Sequence, residues 1–284
     1  MGTVSQLTRA RAVQWARQSI DRLDARLLLQ FVCGCTANAL IADPDVVLDE
    51  AQSTAFQRLV HRRRVGEPLA YLVGQAGFYG DVLTITADVL VPRPETEDLV
   101  DWVLEVLRDR VAPKIADLGT GSGAIALALA GVRPDAQIVA VDVSPAALSV
   151  AAVNRQQLGR NNVEFVCANW YEGWASAESL DVIVSNPPYI PANDPHLAGD
   201  GVRFEPRLAL TDEADGLNAY RAIAAGALAR LKPGGWLLVE HGHDQSEAIA
   251  QLFELAGLVN VMGRADLSAN PRMTGGQKAI GVIA

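Results

Sequence analysis

The strongest constraint on the fold is an alternation of apolar runs and amphipathic stretches that begins near residue 114. Strands are predicted at the apolar runs 114–118, 137–141, 162–167, 180–184, 236–240, 258–262 and 279–283. Helices are predicted at 123–132, 145–158, 216–231 and 244–257. This alternation is typical of an α/β fold with a Rossmann-like, mostly parallel sheet. Because only the turn-rich segment 263–278 separates the last two strands, we expect them to form a hairpin, which makes the seventh strand antiparallel.

Two smaller parts are predicted ahead of this domain, which we place at 95–284. Residues 1–72 have a helical period, with Leu23, Leu27 and Phe31 on one stripe, and predict a small helical bundle. Residues 73–94 predict a β-hairpin linker that turns at Gly80-Asp81.

A glycine-rich loop, Gly119-Thr120-Gly121-Ser122-Gly123, joins the first α/β strand to its helix. Glycines allow a tight turn there and a close approach of the backbone to a ligand at the helix N-terminus. The next strand ends at Asp142, whose carboxylate would accept hydrogen bonds from the ribose hydroxyls of an adenosine cofactor. The alternative is a helix-capping aspartate before Ser144. The loop also fits the dinucleotide-binding pattern, so it does not identify the cofactor by itself.

The fourth α/β strand runs into Asn186-Pro187-Pro188-Tyr189. Ligands of open α/β sheets bind at this carboxyl edge. The Asn186 side-chain oxygen and the Pro187 carbonyl can both accept hydrogen bonds from an NH2 group, and the Tyr189 ring can lie against the flat group that carries it. The motif therefore predicts a site for a planar amine or amide nitrogen. An ordinary proline-rich turn is the alternative.

Three features favour S-adenosyl-L-methionine over a nicotinamide as the cofactor. Asp117 stands two residues before Gly119, where its charge could hold the cationic amino-acid end of S-adenosylmethionine. No residue near Asn186 has the chemistry of a hydride-transfer acid or base. The expected antiparallel last strand also suits a methyltransferase sheet. A nicotinamide-dependent oxidoreductase stays as an alternative that a cofactor-binding measurement would separate.

The composition argues against several other classes of protein. A net charge of −9 does not suit non-specific binding to a polyanion, and we expect the basic strip at 62–64 to be a solvated helix face, or else a contact for RNA or an acidic partner. The cysteines and the pair His241 and His243 lack metal-site spacing, so no metal is expected. Without a signal peptide or an apolar run near the roughly 20 residues that span a bilayer, the chain is expected to be cytoplasmic and free of membrane contact.

The motifs taken together resemble those of class I methyltransferases. Three further segments make the resemblance closer, namely Val-Pro-Arg-Pro-Glu-Thr-Glu at 91–97, Asp-Pro-His-Leu at 194–197 and Val-Arg-Phe-Glu-Pro at 202–206. With the helical N-terminal part, nearly the whole chain resembles the HemK/PrmC family of release factor glutamine methyltransferases. The resemblance implies methyl transfer from S-adenosyl-L-methionine to the side-chain amide of the glutamine in the Gly-Gly-Gln motif of class 1 peptide chain release factors, which modulates translation termination. S-adenosyl-L-homocysteine would be the product.

The resemblance also implies roles for individual residues around the cofactor. The loop 119–123 would wrap its methionine end, Asp142 would hold its ribose, and Trp170 would flank its adenine. Relatives often have an acid before that tryptophan, and Asn169 in its place is expected to weaken adenine binding modestly at most. Asn186 would touch both the cofactor pocket and the substrate.

The substrate side is predicted chiefly from the long loop that follows the Asn-Pro-Pro-Tyr motif. Arg203 and Glu205 in the long loop 190–215 are expected to form a wall of the substrate channel, with a plain surface loop as the alternative. Arg93 is expected to close over the same pocket. We expect the bundle at 1–72 to dock the release factor, the protein to be a monomer, and no nucleic acid to be contacted directly.

Other functions stay open at this point. An adenine amino group in DNA or RNA is also a planar NH2, but such an enzyme would need a base-flipping pocket and a basic groove. A non-catalytic adaptor with the same fold is a further alternative, against which the intact Asn186 and Tyr189 argue. The chain itself contains Gly-Gly-Gln at 275–277, which we expect to form a turn between the last strands and not a site of self-methylation.

Overall fold

The computed structural model describes residues 7–173, 180–266 and 268–280. The chain forms two compact units, Met1–Gln75 and Ala76–Ala284. None of the helices within the described ranges is both long enough and apolar enough to cross a membrane.

The first unit is helical, as its apolar period predicts. Its described helices are α1 (Arg9–Ala16), α2 (Arg22–Cys33), α3 (Ala37–Ala42), α4 (Glu50–Arg64) and α5 (Leu69–Val73). Side chains at the N-caps start the longer helices, and Asp49 forms a full capping box with Gln52 at the start of α4. Leu28, Leu29 and Phe56 are fully buried in a core of the unit's own.

The basic strip on α4 pairs with acids of the same unit. Arg63 Nε donates to Asp24 Oδ2 at 2.6 Å, and Arg62 Nε donates to Glu67 Oε2 at 2.7 Å. These pairs lie at the protein surface, so they fix side-chain positions and add little to stability.

A two-stranded hairpin follows, formed by β1 (Gln75–Phe78) and β2 (Asp81–Thr84). Its turn is Tyr79-Gly80, so the expected turn at Gly80-Asp81 was one residue out. Both turn residues have positive φ, 50° and 81°, as a two-residue turn of the I′ type requires. The Tyr79 N–H donates to Glu97 at 2.8 Å and its hydroxyl donates to Asp101 at 2.6 Å, which holds this non-glycine residue in the left-handed region.

The second unit contains a seven-stranded sheet in its described part. The strands are β3 (Lys114–Leu118), β4 (Gln137–Asp142), β5 (Val163–Cys167), β6 (Leu180–Ser185), β7 (Leu231–Glu240), β8 (Val259–Ala265) and β9 (Pro271–Gln277). Their order is β5-β4-β3-β6-β7-β9-β8, and β9 runs antiparallel to both of its neighbours. The α/β class and the antiparallel last strand are therefore confirmed.

The position of the last strand differs from the prediction. The sequence places it at 279–283, whereas β9 lies at Pro271–Gln277, inside the segment expected to be turn-rich, and 281–283 fall outside the described residues. Gly275 and Gly276 caused the error because glycines suggest turns. A Cβ on Gly275 would stand 2.7 Å from Trp102 and Leu238 side-chain atoms. These glycines serve close packing inside the sheet.

Helices cover the sheet on both faces. They are α6 (Glu95–Val106), α7 (Ala124–Val132), α8 (Pro145–Leu158), α9 (Arg207–Leu210), α10 (Asn218–Arg230) and α11 (Ser246–Leu255). The segment expected as a long loop at 190–215 contains two 3-10 turns and α9. The chain leaves β3 for β4 and β5 on one side and returns to β6 on the other, so the sheet has a topological switch point between β3 and β6. Ligands of such sheets bind outside the carboxyl ends at that point.

Candidate active site

A cavity of about 540 Å³ opens at the carboxyl ends of β3, β4 and β6. Its walls come from the glycine loop, the end of β4, the turn after β5, Asn186 and Pro188, and two outer segments around residues 88–96 and 206–222. Its volume is that of an ordinary small-molecule site.

The glycine loop bends back onto β4 before α7 begins. The Gly119 and Thr120 N–H groups donate to the Val141 carbonyl at 2.8 and 2.9 Å. Gly119 and Gly121 have φ of 74° and 56°, and a Cβ at Gly121 would meet no atom within 4 Å, so backbone conformation requires glycine there. Gly119, Thr120, Gly121 and Ser122 line the cavity, and their contact with a cofactor stays a prediction. Gly123 does not line it, and it packs against α7 and α8 instead.

Asp117 lies beneath this loop and is fully buried. Its Oδ2 accepts hydrogen bonds from the Thr120 hydroxyl at 2.7 Å and the Ala126 N–H at 3.2 Å, while its Oδ1 has no partner among the described residues. Burial raises the pKa of the Asp117 carboxyl to about 7. The residue braces the loop and is absent from the cavity wall, so its contact with the cationic end of a cofactor stays a prediction.

Asp142 ends β4 at the cavity wall. Its two oxygens accept hydrogen bonds from the N–H groups of Gly121 at 2.9 Å and Ser144 at 2.8 Å. The cap of α8 is the Ser144 hydroxyl, which accepts from the Ala147 N–H at 3.2 Å. Each carboxylate oxygen retains acceptor capacity for a ligand hydroxyl. Burial raises the pKa of Asp142 above its usual value.

The turn after β5 brings Asn169, Trp170 and Glu172 to the cavity. Asn169 Nδ2 donates to Glu172 Oε2 at 3.4 Å. Glu172 was missed by sequence reasoning because its position past the tryptophan carries no motif. Its carboxylate lies next to Asn169, the position where relatives often have an acid.

Asn186 follows β6, whose last residue Ser185 donates its hydroxyl to the Leu118 carbonyl at 2.6 Å. This bond joins the ends of β6 and β3, so Asn186 and the glycine loop face the same cavity. Asn186 Nδ2 donates to the Thr96 hydroxyl oxygen at 3.2 Å. Thr96 also lines the cavity and was missed, because it lies on α6, ninety positions away in the chain.

The rest of the Asn-Pro-Pro-Tyr motif divides between wall and core. Pro188 lines the cavity, whereas Pro187 and Tyr189 do not. The Tyr189 ring packs against the main core, its carbonyl accepts a hydrogen bond from Gln245 Nε2 at 2.9 Å, and burial raises the pKa of its hydroxyl. The stacking of Tyr189 on a substrate amide therefore stays a prediction.

An ion pair joins the two outer segments of the cavity wall. Arg93, which lines the cavity, donates from Nη2 to the buried Glu205 carboxylate at 2.6 Å. Burial raises the pKa of Glu205 despite this pairing. Arg203 is exposed, pairs with Asp200 at 3.4 Å and covers the Phe204 ring. Glu205 thus anchors a wall residue from behind, and Arg203 lies outside the wall.

The sequence matches those of known proteins along almost the whole chain. Family profiles match at residues 8–74, described as the PrmC N-terminal domain, and at 99–198, described as the methyltransferase small domain. A release factor glutamine methyltransferase of Xylella fastidiosa is 47% identical over 262 residues, which cover 92% of this chain and 95% of that protein. The one of Bordetella pertussis is 47% identical over 261 residues, which cover 92% and 96%. The chain belongs to the release factor glutamine methyltransferase family. The family resemblance inferred from the motifs is confirmed.

The fold of this family member is also seen in a solved structure. The 16S rRNA N2 G1207 methyltransferase of T. thermophilus, solved with AdoMet and guanosine, superposes with a TM-score of 0.53 at 21% identity. The match covers 72% of this chain and 49% of that one, and it supports the fold alone. Within the described ranges, no group of three or more His, Cys, Asp or Glu side chains is arranged to hold a metal ion.

Proposed function

We propose that this protein transfers a methyl group from S-adenosyl-L-methionine to the side-chain amide nitrogen of the glutamine in the Gly-Gly-Gln motif of class 1 peptide chain release factors. The observation that carries the proposal is the placement of Asn186 at the cavity wall with its NH2 group already bonded to Thr96. Its carbonyl oxygen then remains for an incoming NH2 group. The relatives at 47% identity, which are named for this reaction, support the choice of substrate.

The cavity residues fit the proposed cofactor. Gly119 and Gly121 carry no Cβ, so the cofactor can come close to the backbone of the loop. Asp142 would accept hydrogen bonds from the ribose hydroxyls, and the Trp170 indole would lie against the adenine. The buried Asp117 Oδ1, which has no partner among the described residues, would add negative charge beneath the loop that would hold the methionine end when the carboxyl is ionised. When bound, S-adenosylmethionine supplies an electrophilic methyl group on a sulfonium centre.

The chain's own contribution to the chemistry is positioning. An amide nitrogen is a poor nucleophile because its lone pair is delocalised into the carbonyl group. The Asn186 oxygen and the Pro187 carbonyl would accept its two N–H groups and so orient the nitrogen toward the methyl group. Correct orientation of two reactants can lower a barrier by about 7–11 kcal/mol. The nitrogen exchanges one N–H for N–CH3, and the proton leaves to solvent.

The substrate channel would be bounded by Arg93, held by Glu205, and by the wall at 206–213. Tyr189 would lie against the flat amide, and Pro188 would close the side of the channel. Arg203, which is exposed, would contact the release factor outside the cavity.

The wider setting follows from the substrate. The helical first unit would dock the body of the release factor, with the protein acting as a monomer in the cytoplasm, where release factors work. A net charge of −9 disfavours direct nucleic acid binding.

The proposal is tested by mass spectrometry of a class 1 release factor after incubation with this protein and S-adenosylmethionine. We expect one methyl group on the Gly-Gly-Gln glutamine, no product on duplex DNA incubated in parallel, and a rate at least about a hundredfold lower for Asn186→Ala, since a substrate amide left unpaired in a closed site loses several kcal/mol. Methylated DNA together with an unmodified release factor would refute the proposal.

A further inference from the structure

An asparagine at a cavity wall can present either its oxygen or its NH2 group, and its neighbours decide which. Only an asparagine that presents its oxygen can accept a hydrogen bond from a substrate amide, whose NH2 group donates two. The orientation of Asn186 is therefore a functional property, and the residues that fix it take part in the reaction without touching the substrate.

Two hydrogen-bond acceptors lie next to Asn186. The register of β6 and β7 pairs Ser185 with Val239, so Asn186, directly after β6, and Glu240, the last residue of β7, occupy the next positions along the two chains. Glu240 is 3% exposed, and hydrogen bonding by the side chains of Thr96 and Asn186 lowers the pKa of its carboxyl against the larger, opposite effect of burial. The Thr96 hydroxyl oxygen accepts from Asn186 Nδ2 at 3.2 Å.

These contacts discriminate between the two orientations of the amide. A carboxylate only accepts hydrogen bonds, so a Thr96 hydroxyl that donates to Glu240 has only its lone pairs left for Asn186. Both neighbours of Asn186 then require N–H groups. The second Glu240 oxygen, Oε2, is buried with no partner in the part of the chain that the structure describes, which adds to the repulsion of a carbonyl oxygen on that side.

From this we infer that Glu240 and Thr96 are positioning residues that hold the Asn186 amide with its oxygen toward the substrate. The inference rests on the proposed function for its consequence in catalysis, but the orientation itself is a property of the free protein. A reversed Asn186 would present N–H groups to the N–H groups of the substrate glutamine, and the amide could not be held.

The charge state of Glu240 depends on its surroundings. Burial is the main cause that raises the pKa of its carboxyl to about 7, Glu95 on α6 adds to this effect, and Arg272 on β9 opposes it. The Tyr220 hydroxyl donates to the Glu240 backbone carbonyl at 2.8 Å. The other titratable side chains near it are Tyr189 and the adjacent buried His241. Above pH 7 the carboxylate is an acceptor only, whereas its protonated form can also donate and tolerates either orientation.

The first test is kinetic and uses the full-length protein with a class 1 release factor. In Glu240→Gln, which can donate as well as accept, kcat should fall at least about tenfold while the KM for S-adenosylmethionine changes less than about twofold, since a lost bond to a charged group costs about that factor. The wild-type kcat should rise with pH through about 7, and this step should vanish in the variant. Glu254→Gln, at an exposed position of α11, is the matched control and should keep the wild-type profile.

Thr96 is tested by a pair of substitutions of similar size. Thr96→Val removes the hydroxyl and should lower kcat about as much as Glu240→Gln, whereas Thr96→Ser keeps the hydroxyl and should restore kcat to within about threefold of wild type. Unchanged kcat and pH profile in both Glu240→Gln and Thr96→Val, with the wild type active, would overturn the inference and leave the proposed function standing.

The second test needs no activity. In ¹⁵N-labelled free protein, the Asn186 side-chain NH2 signals are identified by their loss in Asn186→Ala. We expect these signals to shift with pH around 7 in the wild type and to stay constant in Glu240→Gln. If the chemical shifts of these signals do not change with pH in the wild type, the role of Glu240 is refuted. Shifting signals in a protein that methylates no release factor would support the orientation and refute the proposed function.

Discussion

At the scale of single residues, the chain's own Gly-Gly-Gln shows how context decides what a tripeptide does. Gly275 and Gly276 are buried in β9, where Trp102, Leu238, Phe253 and neighbouring side chains leave no room for a Cβ. The Gln277 amide donates to the Gly234 carbonyl at 3.0 Å and accepts from Asn260 Nδ2 at 2.9 Å. A glutamine engaged on both ends inside a sheet is not available as a methyl acceptor.

Substitution of Gly275 by alanine should destabilise the protein by about 2 kcal/mol, because the added methyl group overlaps the Trp102 ring and forces it to move. The matched control is Gly77→Ala in the exposed hairpin strand, where a Cβ meets no atom within 4 Å and the change should stay within about 1 kcal/mol of wild type. Urea unfolding curves of both variants measure the difference. Equal unfolding midpoints for the two variants would show that the packing around β9 accommodates the added methyl group.

At the scale of elements, one side chain of α8 links the glycine loop to the hairpin. Asn154 is fully buried, and its Oδ1 accepts from the Thr84 N–H at 2.7 Å. Its Nδ2 donates to the carbonyls of Thr84 at 3.1 Å and Ser122 at 2.9 Å. Three of the four hydrogen-bonding positions of the Asn154 side chain thus hold backbone groups, and the cavity wall at Ser122 is tied to α8.

Asn154→Ala should lower the free energy of unfolding by about 3 kcal/mol, since three buried or half-buried backbone groups lose their partners, and should weaken S-adenosylmethionine binding through the loosened loop. Gln157→Ala on the same helix removes only an exposed hydrogen bond to Thr84 and should cost less than about 0.5 kcal/mol. Thermal unfolding and calorimetric titration measure the two effects. A loss of stability with unaltered cofactor affinity would mean that the loop keeps its shape without Asn154.

At the scale of the whole molecule, two buried carboxyls make stability depend on pH. Asp117 and Glu240 both have a pKa raised to about 7, chiefly by burial. Because their pKa values in the folded state lie above those in the unfolded chain, both groups stabilise the fold most at pH below about 4, and the contribution is lost as pH rises to about 7. Stability usually increases as the pH rises from acid to neutral, and these two groups act against that increase.

Asp117→Asn removes one of these titrations while its side-chain oxygen can still accept from Thr120 and Ala126. Relative to this variant, the wild type should lose about 2–3 kcal/mol of stability between pH 5 and pH 8. Asp109→Asn, at an exposed position, should follow the wild-type curve at every pH. Urea unfolding across this range is the measurement, and parallel curves for wild type and Asp117→Asn would contradict a raised pKa at Asp117.

The division into two units allows a test of the proposed docking role. Removal of residues 1–75 should lower kcat/KM for a full-length release factor by about tenfold or more, because binding energy outside the cavity is lost, and should change it less than about threefold for a short Gly-Gly-Gln peptide. Circular dichroism of the truncated protein checks that the second unit still folds. Equal losses on both substrates would argue against docking by the first unit.

Local sequence determined the class of fold and the position of most of the site. Apolar runs and helical periods are short-range signals, so β3 to β6, α7 and α8 lie where they are predicted to within a few residues. The glycine loop, Asp142 and Asn186 could be found because each stands directly after a strand, and parallel strands bring their carboxyl ends to one edge. Long-range packing alone decided the location of β9, whose glycines imitate a turn.

Tertiary structure also decided which residues support the motif. Thr96 and Glu240 reach Asn186 only because α6 and β7 pack on either side of it, and no spacing along the chain records that contact. Burial, too, is a property of the assembled molecule, and it is burial that raises the pKa of Asp117 beneath the glycine loop. The sequence specifies which chemical groups are present at the edge of the sheet, and only the packing around them fixes how they are oriented and charged.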